Sequence, residues 1–507
     1  MTESGASDLW PVDPSYEPLR GDADFTHAGA DWSVLQVMVV GLGASGFAAA
    51  DALLERGARV SIVSDGTSPA IAERAAVLKV LGARVSHGQP LPQAPEPGTH
   101  LVVTSPGVPP TNPFLQASAA AGIPVWGEVE LAWRMRPREG AAPWLTVTGT
   151  NGKTTCVTML ESILRAQGLR ATAAGNVGLP ILEAVLHPEP YDVLAVELST
   201  FQLHWSRSLS PYAAVCLNVA PDHVDWHGSY EEYRRMKGRI YERAQVACVY
   251  NVQDPQTEQL VMDAEVVEGC RAVGFTLGVP ARSMVGVVED VMADRAFVEE
   301  RANSAVELGE LRDLSGDSSL PPAPHYVADA LAAAALARAY GVAPAAVRDG
   351  LRAYAPQPHR VQPAGEVQGV RFVNDSKATN PPAAAASLAA FESVVWVAGG
   401  QLKGADVADL VREHSGRLRG AVLLGADRHE IANAFGRHAP GVPIVVLDSN
   451  ETVVMVDVVR EAYALAQPGD VVLLAPAAAS KDMWPGYEDR GNDFMTAVRG
   501  LAPGDLS

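Results

Sequence analysis

Short β-branched runs alternate with alanine- and leucine-rich stretches of helical length along most of this chain, and this alternation restricts its fold more than any other feature. From Val37, "VMVVG" is followed by "SGFAAADALLERG" and then "RVSIVSD". A helix between two such runs carries the chain back across a sheet, so the strands lie parallel. A second series starts at Leu145, with strands expected at "VLAVELS" and "AAVCLN" and an alanine-rich helix over Val327–Tyr340. After His359 come "VRFVND", "VVWVAGG", "GAVLLG", "PIVVLD" and "VVLLAP". The pattern predicts an α/β protein of three consecutive α/β domains: a Rossmann-like domain, a central P-loop-type nucleotide-binding domain and a C-terminal Rossmann-like domain.

A chain of 507 residues exceeds one compact core. Residues 1–35 carry Asp8, Asp13, Glu17, Asp22, Asp24 and Asp31 against Arg20 without sustained periodicity, and read as an acidic mobile tail. The expected domains are then 36–127, 128–356 and 357–507. With 39 basic and 59 acidic residues the net charge is −20, which argues against nucleic acid or an anionic membrane as the main partner. The four cysteines form no CxxC pair and no metal-ligand spacing. "MTESGASDLW" lacks the basic-then-apolar order of a signal peptide, and no apolar run is long enough to span a bilayer. A cytoplasmic monomer without membrane insertion is expected.

Against that acidic background, "LTVTGTNGKTTCVTML" is a local device for anions: a strand, a glycine-bounded loop, then a helix. The common GxxxxGK[ST] pattern fails, because Val147 stands where its first glycine belongs. Gly149, Thr150, Asn151, Gly152, Lys153, Thr154 and Thr155 make a tighter loop that still aims backbone N–H groups at phosphate from a helix N-terminus. Lys153 would neutralise phosphate oxygens, and Thr154 or Thr155 would meet Mg²⁺. Glu197, at the end of an apolar strand, offers the oxygen that Mg²⁺ prefers. "GLGASG" at 41–46 with Asp65 after the next strand matches a dinucleotide fingerprint, and taken alone points to an NAD enzyme.

The loop TGTNGKT resembles the Mur ligase family, ATP-dependent enzymes that add amino acids to peptidoglycan precursors. "AGNVGLP", "ELSTFQL", "NVAPDHVDWHG", "RMKGRIYE", "PHR", "NDSKATN", "LLAPAAASKDMW" and "GYEDRGNDF" follow in family order, so the resemblance covers about residues 36–500. It implies the member that joins D-glutamate to UDP-N-acetylmuramoyl-L-alanine by way of an acyl phosphate, with ATP and two Mg²⁺ sites. It places the UDP portion at Ala44, Ser45, Gly46, Asp65, Ser105 and Gly107, and the muramoyl part at Asn176. ATP would meet the loop, Asp329, Arg360 and Asp375. D-Glutamate would meet Lys377, Thr379, Lys403, Ser480 and Tyr487. His223 and Lys237 would serve the second Mg²⁺, with Lys237 carbamylated; Arg234, Arg235 and Arg239 are the nearby cations expected to favour its neutral amine and the resulting anion.

The chain departs from the family at "PHYVADALAAAA", where Tyr326 and Asp329 replace an asparagine pair. An ionised Asp329 accepts hydrogen bonds only, which puts adenine reading in doubt. Gln401 and Leu402 also depart, with no evident consequence. A sibling ligase for another amino acid, an oxidoreductase resting on GLGASG and a non-catalytic binding relative remain the rival readings.

Overall fold

A computed structural model describes residues 25–300, 302–314, 322–447 and 455–501. The acidic segment up to residue 24 and most of the polar "LSGDSSLPPAPH" stretch lie outside those residues. Two compact units emerge, one of residues up to 144 together with Ala171–Pro211, the other of Leu145–Arg170 and Tyr212 onward.

In the first unit β1 (Gln36–Val40), β2 (Arg59–Ser64), β3 (Arg84–His87), β4 (Leu101–Thr104) and β5 (Val125–Gly127) form one sheet in the order β3-β2-β1-β4-β5, every pairing parallel. The order reverses between β1 and β4, where open α/β sheets place their ligands. Met38, Val40, Val102, Phe114, Leu115, Val125 and Trp205 form a core on this sheet. Residues 25–35, read above as the end of a mobile tail, are built in: Phe25 and Trp32 are 4% and 1% exposed and meet edge to face at 5.3 Å. Two buried aromatics anchor this stretch, in which Asp31 is the one acidic residue.

The chain continues through β6 (Trp144–Thr148), β7 (Ala171–Gly175), β8 (Val193–Glu197), β9 (Ala213–Cys216), β10 (Ala247–Asn251), β11 (Arg271–Phe275), β12 (Met284–Val288), β13 (Val291–Asp294) and β14 (Val306–Glu310). In the first unit β7 and β8 run parallel, opposing Gly175 to Glu197. In the second unit β6, β9, β10, β11 and β12 neighbour one another in parallel, and β13 and β14 extend them antiparallel. The alanine-rich helix spans Pro324–Tyr340, starting three residues before the expected Val327, because Pro324 takes the first helical turn, where its missing N–H costs nothing. Its alanines from Ala330 onward are buried, and the small side chains let it lie close to the helix Lys153–Ala166.

The last sheet holds β15 (Gln362–Val367), β16 (Val370–Asn374), β17 (Val394–Gly399), β18 (Leu418–Leu424), β19 (Ile444–Val446) and β20 (Val471–Leu474) in the order β15-β16-β20-β17-β18-β19. Val394, Trp396 and Ala398 enter one core while Val395 and Val397 enter the other. Both faces are covered, which is why these strands read as unbroken apolar runs. β15 is the exception: an antiparallel edge strand, half exposed, containing Pro363 and Gly365. No described helix is long and apolar enough to cross a membrane.

Candidate active site

β6 ends where its run meets Gly149, and the loop to Gly152 leads into the helix Lys153–Ala166. Gly152 has φ +85°, and a Cβ there would lie 2.2 Å from Asp329 Oδ1, so glycine is required on both counts. Lys153 Nζ donates to the carbonyls of Gly149 at 2.8 Å and Thr150 at 2.9 Å. Thr150 Oγ1 accepts from the Ala220 amide at 2.9 Å and pairs with the Tyr233 hydroxyl at 2.9 Å. Asn218 clamps the Asn151 backbone, accepting from its N–H at 2.9 Å and donating to its carbonyl at 3.1 Å. The amides of Asn151 and Asn380 exchange hydrogen bonds at 3.3 and 3.2 Å, which ties the loop to the helix Pro381–Ala389. Thr155 is buried, and Thr154 is half-buried in the first turn.

Lys237 is 2% exposed, on the inner side of the helix Tyr230–Gly238, with Nζ 4.5 Å from the centre of the Tyr233 ring. Burial first, and the Lys153 charge second, bring its ammonium down to about 7. The expected source of that effect was different. Arg234 and Arg235 instead pair with Glu231 and Glu232 at 2.7 Å each, and Arg239 with Glu242 at 3.3 Å, so their charges are answered locally. Asp222 is a residue missed in the sequence: it raises the Lys237 ammonium, approaches His223 Nε2 at 3.7 Å and accepts from Asn380 at 3.5 Å. His223 itself is exposed and held in the left-handed region at φ 50°.

Asp329 is 5% exposed, and burial holds its carboxyl well above the usual range despite the charges of Arg360 and Lys153. It therefore holds its proton more tightly than a free aspartate, and in the protonated form it donates as well as accepts. Against the ionised Asp329 expected from the sequence, burial favours the protonated form, and the Arg360 and Lys153 charges offset it only in part. His325, one turn earlier, was also missed; burial lowers it to about 4, and its Nδ1 has no hydrogen-bond partner. Arg360 lies between His359 and Val361, both at positive φ. Asp375, raised by burial to about 6, accepts from the Ser387 hydroxyl and from the Val361 amide at 3.4 Å. The carboxyl expected at ribose thus braces the turn that carries Arg360.

In the first unit the GLGASG segment opens the helix Ala44–Glu55, whose N-cap Gly43 provides no side-chain cap. A Cβ on Gly46 would sit 2.1 Å from the Gly41 carbonyl, so the third glycine permits close helix-to-strand approach. Ser105 Oγ is buried beside Gly41 and Gly46 without a hydrogen-bond partner, while Ala44, Asp65 and Gly107 are exposed. The Ser45 hydroxyl bonds the buried Glu128, whose carboxyl burial raises; the sequence reading had no role for Glu128. Glu197, closing β8, is 1% exposed: Oε1 accepts from Asn176 Nδ2 at 2.8 Å and Oε2 has no hydrogen-bond partner. Asn176 thus orients this carboxylate. A buried carboxylate oxygen without a partner fits a hard cation. Among the described residues no group of three His, Cys, Asp or Glu side chains is clustered for a metal.

In the last sheet's loops, Lys377 Nζ lies 3.9 Å over the Tyr487 ring, and Thr379 N donates to the Lys377 carbonyl at 2.8 Å. Gln401 and Ala479 exchange backbone hydrogen bonds at 2.8 and 2.9 Å, which joins the loop of exposed Lys403 to that of buried Ser480. Gln401 and Leu402 acquire a role here, since Leu402 is core and its amide donates to Asp427 at 2.6 Å. Arg490, fully buried, donates to the carbonyls of Ser376, Gly399 and Ala478 at 3.0, 3.3 and 3.1 Å. The quoted motif "GYEDRGNDF" contained this residue, but nothing in the sequence said that its guanidinium turns inward.

Residues 35–127 match the Mur ligase MurD-like N-terminal domain, 147–337 the Mur ligase middle domain and 359–478 the Mur ligase glutamate ligase domain. The chain belongs to the Mur ligase family. Two curated Mur ligases, each named UDP-N-acetylmuramoylalanine–D-glutamate ligase, make the relation close. That of Streptomyces coelicolor is 56% identical over 93% of this chain and 99% of its own length, and that of Leifsonia xyli 50% identical over 94% of each. Among solved Mur ligases, MurF of Thermotoga maritima in complex with ADP is 17% identical with a TM-score of 0.54, over 93% of this chain and 100% of that one. MurF of Acinetobacter baumannii is 18% identical with a TM-score of 0.55, covering 92% of each. At those identities the structural likeness establishes the fold.

Proposed function

We propose that this Mur ligase joins D-glutamate to UDP-N-acetylmuramoyl-L-alanine at the expense of ATP, in peptidoglycan precursor synthesis in the cytoplasm, working as a monomer of three domains divided at 36–127, 128–356 and 357–507. The observation that carries the reading is the gathering of a phosphate loop, the buried Lys237 and the buried Asp329 around Lys153, in a chain 56% identical to a ligase of that name.

Backbone N–H groups from Gly149 to Thr155 and the Lys153 ammonium would hold ATP phosphates, with Arg360 beside them; Asp329 would meet the nucleoside as a donor and acceptor. The substrate carboxylate takes the γ-phosphoryl group, the D-glutamate amine attacks the acyl phosphate, and phosphate leaves. Such transfer between anions rests on positioning and charge neutralisation. Mg²⁺, when bound at the two expected sites, supplies part of that neutralisation; Thr154, His223 and a carbamate on Lys237 in the second unit, and Glu197 in the first, are the proposed ligands. A lysine near 7 is half neutral at neutral pH, and only the neutral amine adds CO₂. Ala44, Ser45, Gly46, Asp65, Ser105, Gly107 and Asn176 would take the nucleotide sugar. Lys377, Thr379, Lys403, Ser480 and Tyr487 would take the two D-glutamate carboxylates.

The test is incubation with ATP, Mg²⁺, UDP-N-acetylmuramoyl-L-alanine and either enantiomer of glutamate, following phosphate release and product mass. Release with the D-enantiomer alone, with the mass of one added glutamyl residue, supports the reading. No release with any combination defeats it.

A further inference from the structure

Two thiols outside the site just described face one another. Cys248 in β10 is 1% exposed, Cys270 directly before β11 is half-buried, and their sulfurs stand 3.8 Å apart. The other two cysteines, Cys156 and Cys216, are fully buried. We propose that Cys248 and Cys270 are a reversible dithiol–disulfide modification site, oxidised by peroxide, that fastens β10 to the start of β11.

The sulfurs need to approach by only about 1.8 Å to reach the length of a disulfide bond, a movement within the range of side-chain rotation. Cys270 follows the exposed turn at Gly269, so an oxidant reaches it, whereas β10 shields Cys248. The two sulfurs are also chemically unequal. The two thiols share a hydrogen bond, and with the amide and charge of Arg271 this holds the Cys270 thiol below its ordinary range while Cys248 is raised. Cys216 is raised by burial to about 12, which leaves it inert. Cys270 is thus the attacking sulfur and Cys248 the resolving one.

The step balances. The Cys270 thiolate attacks one oxygen of hydrogen peroxide, the O–O bond breaks, and hydroxide leaves with a proton as water. Cys248 sulfur then displaces hydroxide from the resulting sulfenic acid, its own proton completing a second water. Two thiols are oxidised to one disulfide and one peroxide is reduced to two waters. The closed loop contains the helix Pro255–Met262, the crossover between the two strands.

Exposing the whole folded protein to dilute hydrogen peroxide, quenching and counting thiols after denaturation tests this. Two of the four thiols should disappear with a mass loss of about 2 Da. A peptide pair should link positions 248 and 270, and dithiothreitol should restore all four thiols. Cys270→Ser should retain every remaining thiol under the same dose, and Cys248→Ser should accumulate a sulfenic acid at Cys270 that dimedone traps. Four thiols surviving in the wild-type protein would overturn the proposal, as would over-oxidised Cys270 beside alkylatable Cys248, or a disulfide joining any other pair. The wild-type count decides even if a variant fails to fold.

Discussion

Asn151 and Asn380 trade amide hydrogen bonds at 3.3 and 3.2 Å, so a residue of the phosphate loop is held by the N-cap residue of a helix 229 positions away in sequence. Asn380 also accepts from the Ala383 amide at 2.9 Å, so its side chain serves the helix and the loop together.

Two substitutions separate those duties. Asn380→Asp preserves the cap but cannot donate when ionised, and should raise the KM for ATP by about tenfold, the loss of one to two hydrogen bonds. Asn380→Ala should do the same and also lower stability by about 1 kcal/mol through loss of the cap. Steady-state kinetics and urea unfolding check both. Equal KM in all three proteins would show that the pair does not position the loop.

Gly152→Ala combines positive φ with a contact into a buried carboxyl. A cost of about 2 kcal/mol or more is expected, visible as a lower midpoint in chemical unfolding, together with weaker ATP binding. Gly82→Ala has positive φ and open space around it. It should cost about 1 kcal/mol, the backbone part alone.

Lys237 has a folded-state value near 7 against 10.5 for the free side chain. Between those values the unfolded chain binds more protons, so stability should rise with pH from about 7 to 10.5. Lys237→Met removes that dependence: its advantage in stability over the parent should be greatest at and below pH 7 and vanish above 10.5, while ligation is lost. Denaturant unfolding across pH measures the first part, and phosphate release the second. ¹³C spectra under labelled CO₂ should show a carbamate signal in the parent that is absent from the variant.

Asp329 titrates in the opposite sense. Its folded value lies well above 3.8, so the native state holds the extra proton, and its contribution to stability is full below 3.8 and falls as pH rises toward the folded value. Asp329→Asn should match the parent in acid and exceed its stability at alkaline pH. Where Asp329 is protonated it donates as the asparagine amide does, so the KM for ATP of the two proteins should differ least in acid and diverge as pH rises through the folded value. A KM ratio that does not change with pH would show that Asp329 does not read the nucleotide.

Arg490→Met leaves the carbonyls of Ser376, Gly399 and Ala478 without their shared donor. A loss of about 3 kcal/mol is expected in thermal or urea unfolding. Arg490→Lys should recover only part, since an ammonium cannot span all three.

The strand pattern and the phosphate loop were legible because each rests on neighbours in the chain. Buried parallel strands need unbroken apolar runs, and β16 to β20 announce themselves so; a loop that presents N–H groups to an anion needs its glycines, lysine and hydroxyls consecutively. β15 was silent because an exposed edge strand needs no apolar run, and 25–35 misled because the acidic residues that precede it, up to Asp24, set the composition of the segment, whereas Phe25 and Trp32 anchor it against the single Asp31. What only the tertiary structure decided was the state of single side chains. Asp329 holds its proton more tightly and Lys237 releases its own more readily because folding removes water from both, and the three arginines do not act on Lys237 because glutamates one turn away answer them. Asp222, Glu128 and Arg490 gain their partners across tens or hundreds of residues. Local sequence sets which elements form; desolvation and pairing between distant segments set the charge each residue carries.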